Sequence, residues 1–87
     1  MTIESHRDGN ALGGVLMSLF GVEMTHRRGC CGGCGAINTL GEMHIYVDAP
    51  GDVVRCPSCQ TVLMVLIRIE SVVRINLAQL AWMEMPD

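Results

Sequence analysis

The sequence predicts a small, mostly-β domain held together by a metal ion, a zinc ribbon with one N-terminal α-helix. Two observations carry this prediction. The chain contains two Cys-x-x-Cys pairs, and several short segments in which apolar and polar residues alternate, as they do in half-buried strands. With 87 residues the chain forms one small domain, a size at which a metal or disulfide staple is commonly needed.

The two cysteine pairs have the spacing of a structural zinc site. Two residues separate Cys31 from Cys34 and Cys56 from Cys59, so both thiolates of each tight turn (a knuckle) can reach one ion. The pairs lie 21 residues apart, slightly more than the about 15–20 of the common pattern, a difference that one hairpin residue absorbs. These four cysteines are predicted to hold Zn²⁺ tetrahedrally in a closed site, with iron as the alternative ion.

Three further residues are candidates for the same metal. Cys30 with Cys34 would leave a three-residue gap, which suits a knuckle less well, so Cys30 is predicted to be a bystander. The alternative is a redox-sensitive thiol that competes for the ion. His26 and His44 are predicted to lie on the surface or beside the site, because four well-spaced cysteines leave no vacancy.

Composition and charge indicate where the protein is located and which classes of partner it binds. The formal net charge is −3, and all six basic residues are Arg, which argues against strong non-specific nucleic-acid binding. The five cysteines are an odd number, and the first twenty residues show no signal-peptide pattern. The longest apolar run, 62–67, is too short to span a bilayer. A soluble cytoplasmic protein with no membrane partner is expected.

Along the chain, the pattern predicts a flexible tail, a ribbon domain with a helix at its start, and a second tail. The predicted bounds are 1–9 for the first tail, 10–83 for the domain, 10–21 for its helix and 84–87 for the last tail. Strands are predicted near 22–28, 43–48, 61–70 and 73–77, a short return strand or loop at 36–40, and a segment leading back into the second knuckle at 53–55. Asp48 to Asp52, with Pro50 and Gly51, is predicted to be a turn. The segment 79–87 fits a strand, a helical turn or a docking segment.

The chain holds more apolar surface than one small core can cover. Apolar residues make up 49% of the sequence, although Phe20, Tyr46 and Trp82 are its three aromatics. Surplus apolar surface favours a protein partner or self-association. The candidate contacts are one helix face, the second face of the longest strand and the C-terminal aromatic: Leu12, Leu16, Leu19, Val62, Met64, Leu66 and Trp82.

These observations favour a non-catalytic adaptor or accessory subunit with a structural zinc ion. Four thiolates close the coordination sphere, and the sequence has no His-Glu helical pair, nucleophile elbow or phosphate-binding glycine loop. We therefore expect neither enzyme activity nor a small-molecule substrate. A nucleic-acid-binding ribbon is one alternative, resting on His26-Arg27-Arg28 before the first knuckle. An iron electron carrier is the other.

Two resemblances accompany this interpretation. Cys-x-x-Cys-Gly and Cys-Pro-x-Cys resemble the knuckles of rubredoxin, which implies a one-electron iron site. However, rubredoxin surrounds its iron with aromatic residues, none of which is expected beside a knuckle here, and Gln60 stands where its second knuckle has Gly. More closely, residues 11–16 and 20–25, with Cys31-x-x-Cys34-Gly35, Ala49-Pro50-Gly51 and Arg55-Cys56-Pro57-x-Cys59, look like a small bacterial zinc-ribbon family of unknown function. This resemblance implies Cys31, Cys34, Cys56 and Cys59 as metal ligands.

Overall fold

The computed structural model describes residues 7–8, 13–48 and 51–85 and has two antiparallel sheets and one short α-helix. The side chains at 7, 8, 15, 19 and 48 are outside this description. The elements are β1 (Arg7–Asp8), α1 (Gly13–Phe20), β2 (Arg28–Cys31), β3 (Ile37–Thr39), a 3₁₀ turn (Leu40–Glu42), β4 (His44–Asp48), β5 (Gly51–Arg55), β6 (Val62–Ile69), β7 (Val72–Leu77) and β8 (Leu80–Met83). The predicted mostly-β architecture with one short helix is therefore confirmed.

The strands form a five-stranded and a three-stranded sheet. The strand order is β1-β4-β5-β6-β7 in the larger sheet and β3-β2-β8 in the smaller, and every pair of neighbours is antiparallel. The first knuckle joins β2 to β3, whereas the second joins β5 to β6. Each sheet thus contributes one cysteine pair.

The core lies between one face of the larger sheet and the elements that cover it. Ile45, Val54 and Met64 occupy one row across β4, β5 and β6, and all three are buried. Leu16 of α1 and Leu66 of β6 belong to the same buried cluster. Phe20, Ala36, Val73, Leu80 and Met83 pack against it. The helix and the smaller sheet therefore cover a core that is aliphatic and rich in methionine.

The opposite face of β5 and β6 carries apolar side chains as well. Val53 and Val65 pair across β5 and β6, and Ile67 lies two residues further along β6. These side chains are only half-buried and do not belong to the core cluster or pack against it. The strand predicted to be apolar on both faces is therefore covered on one face by the described part of the chain.

The predicted helix is present in its described part. It runs from Gly13 to Phe20, and the predicted residues 10–12 lie outside the described ranges. Gly21 ends it: its φ is 73°, and its N–H donates to the carbonyl oxygen of Met17 at 2.7 Å. In the ranges that the structure describes, no helix has both the length and the apolar character that crossing a membrane requires.

The predicted strand over 22–28 is wrong, because the ladder begins only at Arg28. Before it, the Glu23 carboxylate accepts hydrogen bonds from the backbone N–H and the hydroxyl of Thr25. The N–H of Arg27 donates to the carbonyl oxygen of Met24 at 3.0 Å. Local hydrogen bonds of this kind compete with strand pairing, and they turn the chain while burying Met24.

Both predicted tails contain ordered contacts. Arg7 and Asp8, placed in the tail 1–9, form β1 and pair with Ile45 and His44 of β4. At the other end, Glu84 donates its N–H to the carbonyl oxygen of Arg28 at 2.8 Å. The ambiguous segment after residue 79 forms β8, which pairs with β2. Of the predicted turn, positions 49 and 50 are outside the described ranges, and Asp48 pairs with Gly51.

Candidate metal centre

The two knuckles are built alike. In each, the backbone N–H two residues after the first cysteine donates to that cysteine's sulfur, from Gly33 to Cys31 and from Ser58 to Cys56, both at 3.3 Å. N–H groups aimed at a sulfur stabilise the thiolate, which is the form that binds a metal. The local backbone therefore prepares the first cysteine of each pair as a ligand.

The backbone closes each turn with the same two further bonds. The residue after each second cysteine, Gly35 or Gln60, donates its N–H to the carbonyl oxygen of the first cysteine at 2.8 Å. The first cysteine in turn donates its N–H to the carbonyl oxygen of Ala36 or Thr61 at 2.9 Å. This matching pattern over two separate segments presents two cysteine pairs in the same conformation.

The four sulfurs converge on one point. The Sγ atoms of Cys31 and Cys59 lie 3.7 Å apart, as do those of Cys34 and Cys56. All four lie within 4.8 Å of one another. A tetrahedron with Zn–S bonds of about 2.3 Å has edges of about 3.8 Å. Cys31, Cys34, Cys56 and Cys59 are therefore positioned to hold a metal ion, and their donor set fits a tetrahedral thiolate site.

The cluster spans the boundary between core and surface. Cys31 is 2% exposed and Cys56 is fully buried, and both belong to the core cluster, whereas Cys34 and Cys59 are exposed. Each knuckle thus contributes one buried and one exposed thiol. An ion held by all four would fasten the smaller sheet to the larger one at the edge of the core.

The exposed thiols differ in acidity. The hydroxyl of Thr61, 3.0 Å from the sulfur, and the Thr61 N–H lower the pKa of Cys59 to about 6. The Ala36 N–H acts in the same direction on Cys34, but burial and hydrogen bonds to the other thiols outweigh it and raise its pKa to about 12. At neutral pH, Cys59 is ready to bind a cation, while Cys34 must lose a proton when the metal enters.

Metal affinity is therefore expected to fall steeply with decreasing pH. Cys34 releases its proton on binding at any pH below about 12, and Cys59 adds a second released proton once the pH is below about 6. Titration with a chromogenic competitor between pH 8 and pH 5 measures this dependence. An apparent affinity that stays constant over this range would contradict the thiolate site.

Gln60 adopts a conformation that usually belongs to glycine. Its φ is 66°, which matches Gly35 at 80° in the first knuckle. The left-handed region costs a non-glycine residue about 1–2 kcal/mol. The side chain is held by the Tyr46 hydroxyl, which donates to Oε1 at 3.1 Å, and by His44 Nδ1, 2.9 Å from Nε2. Arg55 donates to the Gln60 carbonyl oxygen at 2.8 Å.

Replacements at Gln60 should separate backbone strain from side-chain contacts. Gln60→Ala keeps the strain and loses both side-chain hydrogen bonds, whereas Gln60→Gly loses the same bonds and relieves the strain. The glycine variant is therefore expected to be about 1 kcal/mol more stable than the alanine variant and close to the parent. Chemical denaturation of the metal-loaded proteins measures the difference. Equal stability of the two variants would show that position 60 carries no backbone strain.

The other candidate ligands lie outside the cluster. Cys30 is half-buried, and its sulfur is 3.7 Å from the carbonyl oxygen of Cys31 and 3.8 Å from that of Gly35. His44 lies beside the second knuckle through Gln60, and His26 Nδ1 is 3.7 Å from Glu23 Oε1. The alternating directions of neighbouring side chains in β2 explain why Cys31 and not Cys30 joins the cluster.

The predicted partner surface is largely internal. Leu16 of α1 and Met64 and Leu66 of β6 are buried in the same core cluster. Val62 is half-buried, and Trp82 is 42% exposed in β8. Position 12 and the side chain at 19 lie outside the described parts. Among the described residues, Leu16 of the helix serves packing, and the exposed apolar side chains lie on other elements.

The basic cluster before the first knuckle is partly neutralised. Arg28 forms a two-point ion pair with Glu84, with Nε and a terminal nitrogen 3.0 and 2.7 Å from the two carboxylate oxygens. The guanidinium lowers the pKa of Glu84, which stays ionised. His26 lies next to the Glu23 carboxylate. These acids reduce the positive charge on which a nucleic-acid surface would rest.

Comparison with known protein families matches residues 3–87 to DUF6510, a family of unknown function. The chain belongs to this family. The family description assigns no metal and no zinc ribbon, so the bacterial family resemblance is supported in its unknown function but not in a named metal. No curated protein and no solved structure shows significant similarity to the chain.

Sequence reasoning missed the surroundings of the second knuckle. It placed no aromatic residue beside either knuckle, whereas Tyr46 contacts Gln60 directly and lies 5.5 Å below the Arg55 guanidinium. The signal was available in part: a Gln in the usual position of a knuckle glycine implies positive φ and therefore needs support from neighbours. Which strand supplies that support depends on the pairing of β4 with β5.

Proposed function

We propose that the chain is a non-catalytic, zinc-stabilised adaptor or accessory subunit, with a ribbon fold fixed by Cys31, Cys34, Cys56 and Cys59. The observation that carries this proposal is the convergence of the four sulfurs from two matching knuckles. Four thiolates complete a tetrahedral sphere and leave no position for water or substrate. Such a site contributes folding free energy rather than chemistry.

The surroundings of the four sulfurs support zinc rather than iron as the proposed ion. The two sulfur–sulfur separations of 3.7 Å suit a tetrahedral ion with either metal. A rubredoxin-like carrier would also need an aromatic surrounding, and here Cys34 and Cys59 are exposed. Tyr46 is the aromatic residue that contacts the second knuckle, through a hydrogen bond to Gln60. The surroundings therefore favour an ion with a structural role.

The adaptor role rests on apolar surface outside the core. Val47, Val72 and Leu77 are each more than half exposed, and Trp82 and Met85 are 42% and 50% exposed. A small domain that keeps several large apolar side chains in water is typical of proteins that bind another protein. Since Leu16 of the predicted helix face is buried, these exposed residues form the proposed contact region.

The test is the metal content of protein expressed and purified without added metal, measured together with its visible spectrum. We expect one Zn²⁺ per chain and a colourless protein. One iron per chain with a red chromophore that is reversibly reduced would replace this proposal by electron transfer. A folded chain without metal would remove its basis.

A further inference from the structure

Strand β7 forms an open edge of the larger sheet. One side of β7 pairs with β6 from Val72 to Leu77. In the part of the chain that the structure describes, no strand pairs with its other side. Proteins usually protect such an edge with charged residues, Pro, a bulge or a covering segment, because the free N–H and C=O groups can pair with another chain.

The residues of β7 give little of that protection. Val72, Ile75 and Leu77 are 57%, 37% and 69% exposed, and Arg74 is the one charged residue of the strand. The strand contains no Pro, and its pairing with β6 is regular over six residues. It is therefore a long, regular and apolar edge, the kind that adds a further strand.

An apolar cavity reaches the surface at the same edge. Its volume is about 280 Å³. Ile75 and Leu77 line it from β7, and the remaining lining comes from the core side: Leu16, Phe20, Met64, Leu66 and Met83. Leu77 both lines the cavity and is 69% exposed, so a strand added to β7 would place side chains beside this part of the lining.

We propose that β7 pairs antiparallel with β7 of a second copy of this chain, around a two-fold axis at Ile75, to give one continuous ten-stranded sheet. This inference rests on the proposed function, since it names the protein that the exposed apolar surface binds. A two-fold arrangement is the commonest symmetry of soluble oligomers, and it uses the same strand from both copies.

The charge pattern of β7 selects the register. Residues directly opposite each other in an antiparallel pair of strands have their side chains on the same face of the sheet. A two-fold axis must therefore lie at a residue position, and the central positions of β7 are Arg74, Ile75 and Asn76. An axis at Arg74 brings two guanidinium groups together, which is unfavourable. An axis at Asn76 pairs only the end of the strand. An axis at Ile75 opposes Arg74 with Asn76 of the partner subunit and pairs all residues from 73 to 77.

This register also explains the exposed side chains. On the core-side face, Ile75 lies opposite the partner's Ile75, and Leu77 lies opposite the partner's Val73. Val73 is half-buried in one copy, and Leu77 is the most exposed of the large apolar residues in the described ranges. The partner's Val73 therefore covers the mouth of the cavity, and six aliphatic side chains leave water together.

The test is sedimentation velocity on the metal-loaded full chain, from micromolar to millimolar concentration, with two variants of one exposed residue. In this register, position 76 lies opposite the partner's Arg74. Asn76→Arg therefore creates two pairs of like charges across the axis, and Asn76→Asp creates two pairs of opposite charges. We expect Asn76→Arg to weaken dimerisation roughly tenfold and Asn76→Asp to strengthen it by a similar factor. Added salt should shrink both effects. Circular dichroism and metal content verify that both variants fold.

A metal-loaded parent chain that stays monomeric throughout would overturn the pairing and leave the structural-metal proposal standing. A dimer that responds equally to both variants, or to neither, would place the interface elsewhere and also overturn it. Conversely, a metal-free chain that is folded and dimeric with the expected order of variants would support the pairing and overturn the structural metal.

Discussion

Removing the metal is expected to unfold the chain, the largest effect that any single change should have. The four thiolates join the β2–β3 turn to the β5–β6 turn, and Cys31 and Cys56 are themselves part of the core. Metal binding at structural four-ligand sites contributes about 10–16 kcal/mol of apparent folding free energy at neutral pH. This is as large as the entire stability of a typical domain, which is about 5–15 kcal/mol. A strong chelator should therefore abolish the β-sheet signal in circular dichroism.

Two cysteine variants make this test specific. Cys56→Ser removes a fully buried ligand and should abolish stoichiometric metal binding together with the folded state. Cys30→Ser changes a neighbouring thiol outside the cluster and should retain one metal per chain, with stability within about 1 kcal/mol of the parent. Loss of metal from the Cys30 variant would show that the first knuckle uses Cys30. Normal folding of the Cys56 variant would show that the core does not depend on the ion.

The second large effect is expected from Leu66→Ala. Leu66 is 1% exposed on the covered face of β6, beside the apolar cavity. Truncation of a buried Leu to Ala costs about 2–5 kcal/mol, and an existing cavity that cannot collapse places the cost in the upper half of this range. The measurement is the free energy of unfolding from denaturant titration of the metal-loaded protein.

The matched control is Ile67→Ala, one residue along the same strand. Ile67 lies on the other face, is half-buried and does not pack against the core. Its truncation should cost about 1 kcal/mol, from lost strand propensity and partial burial. A cost for Ile67→Ala as large as that for Leu66→Ala would show that the second face of the larger sheet is covered in solution.

The metal site could be predicted from sequence because each knuckle is local. A Cys-x-x-Cys turn places both of its sulfurs through bonds within five residues, such as Gly33 to Cys31 and Ser58 to Cys56. Period-two alternation likewise located β4 and β6 to within two residues of their observed bounds. Patterns of this kind need no knowledge of the remaining chain.

Features that depend on distant partners could not be predicted in this way. β8 exists because Leu80, Trp82 and Met83 pair with β2, about fifty residues earlier in the chain. The segment 22–28 has strand-like composition, but only Arg28 joins a strand, and Met24 is buried in the core instead. Local propensity is a weak guide wherever such contacts outweigh it.

Local sequence patterns are enough to predict four cysteines in two knuckles, one short helix and a mostly-β chain. Which apolar residues are internal depends instead on tertiary packing. Period-two alternation marks both faces of β6 as apolar, but it cannot tell which face α1 will cover. Leu16 of the helix is buried together with Met64 and Leu66 of β6, whereas Leu77 on the edge strand β7 stays exposed. Burial depends on which elements meet, and a local pattern does not contain that information.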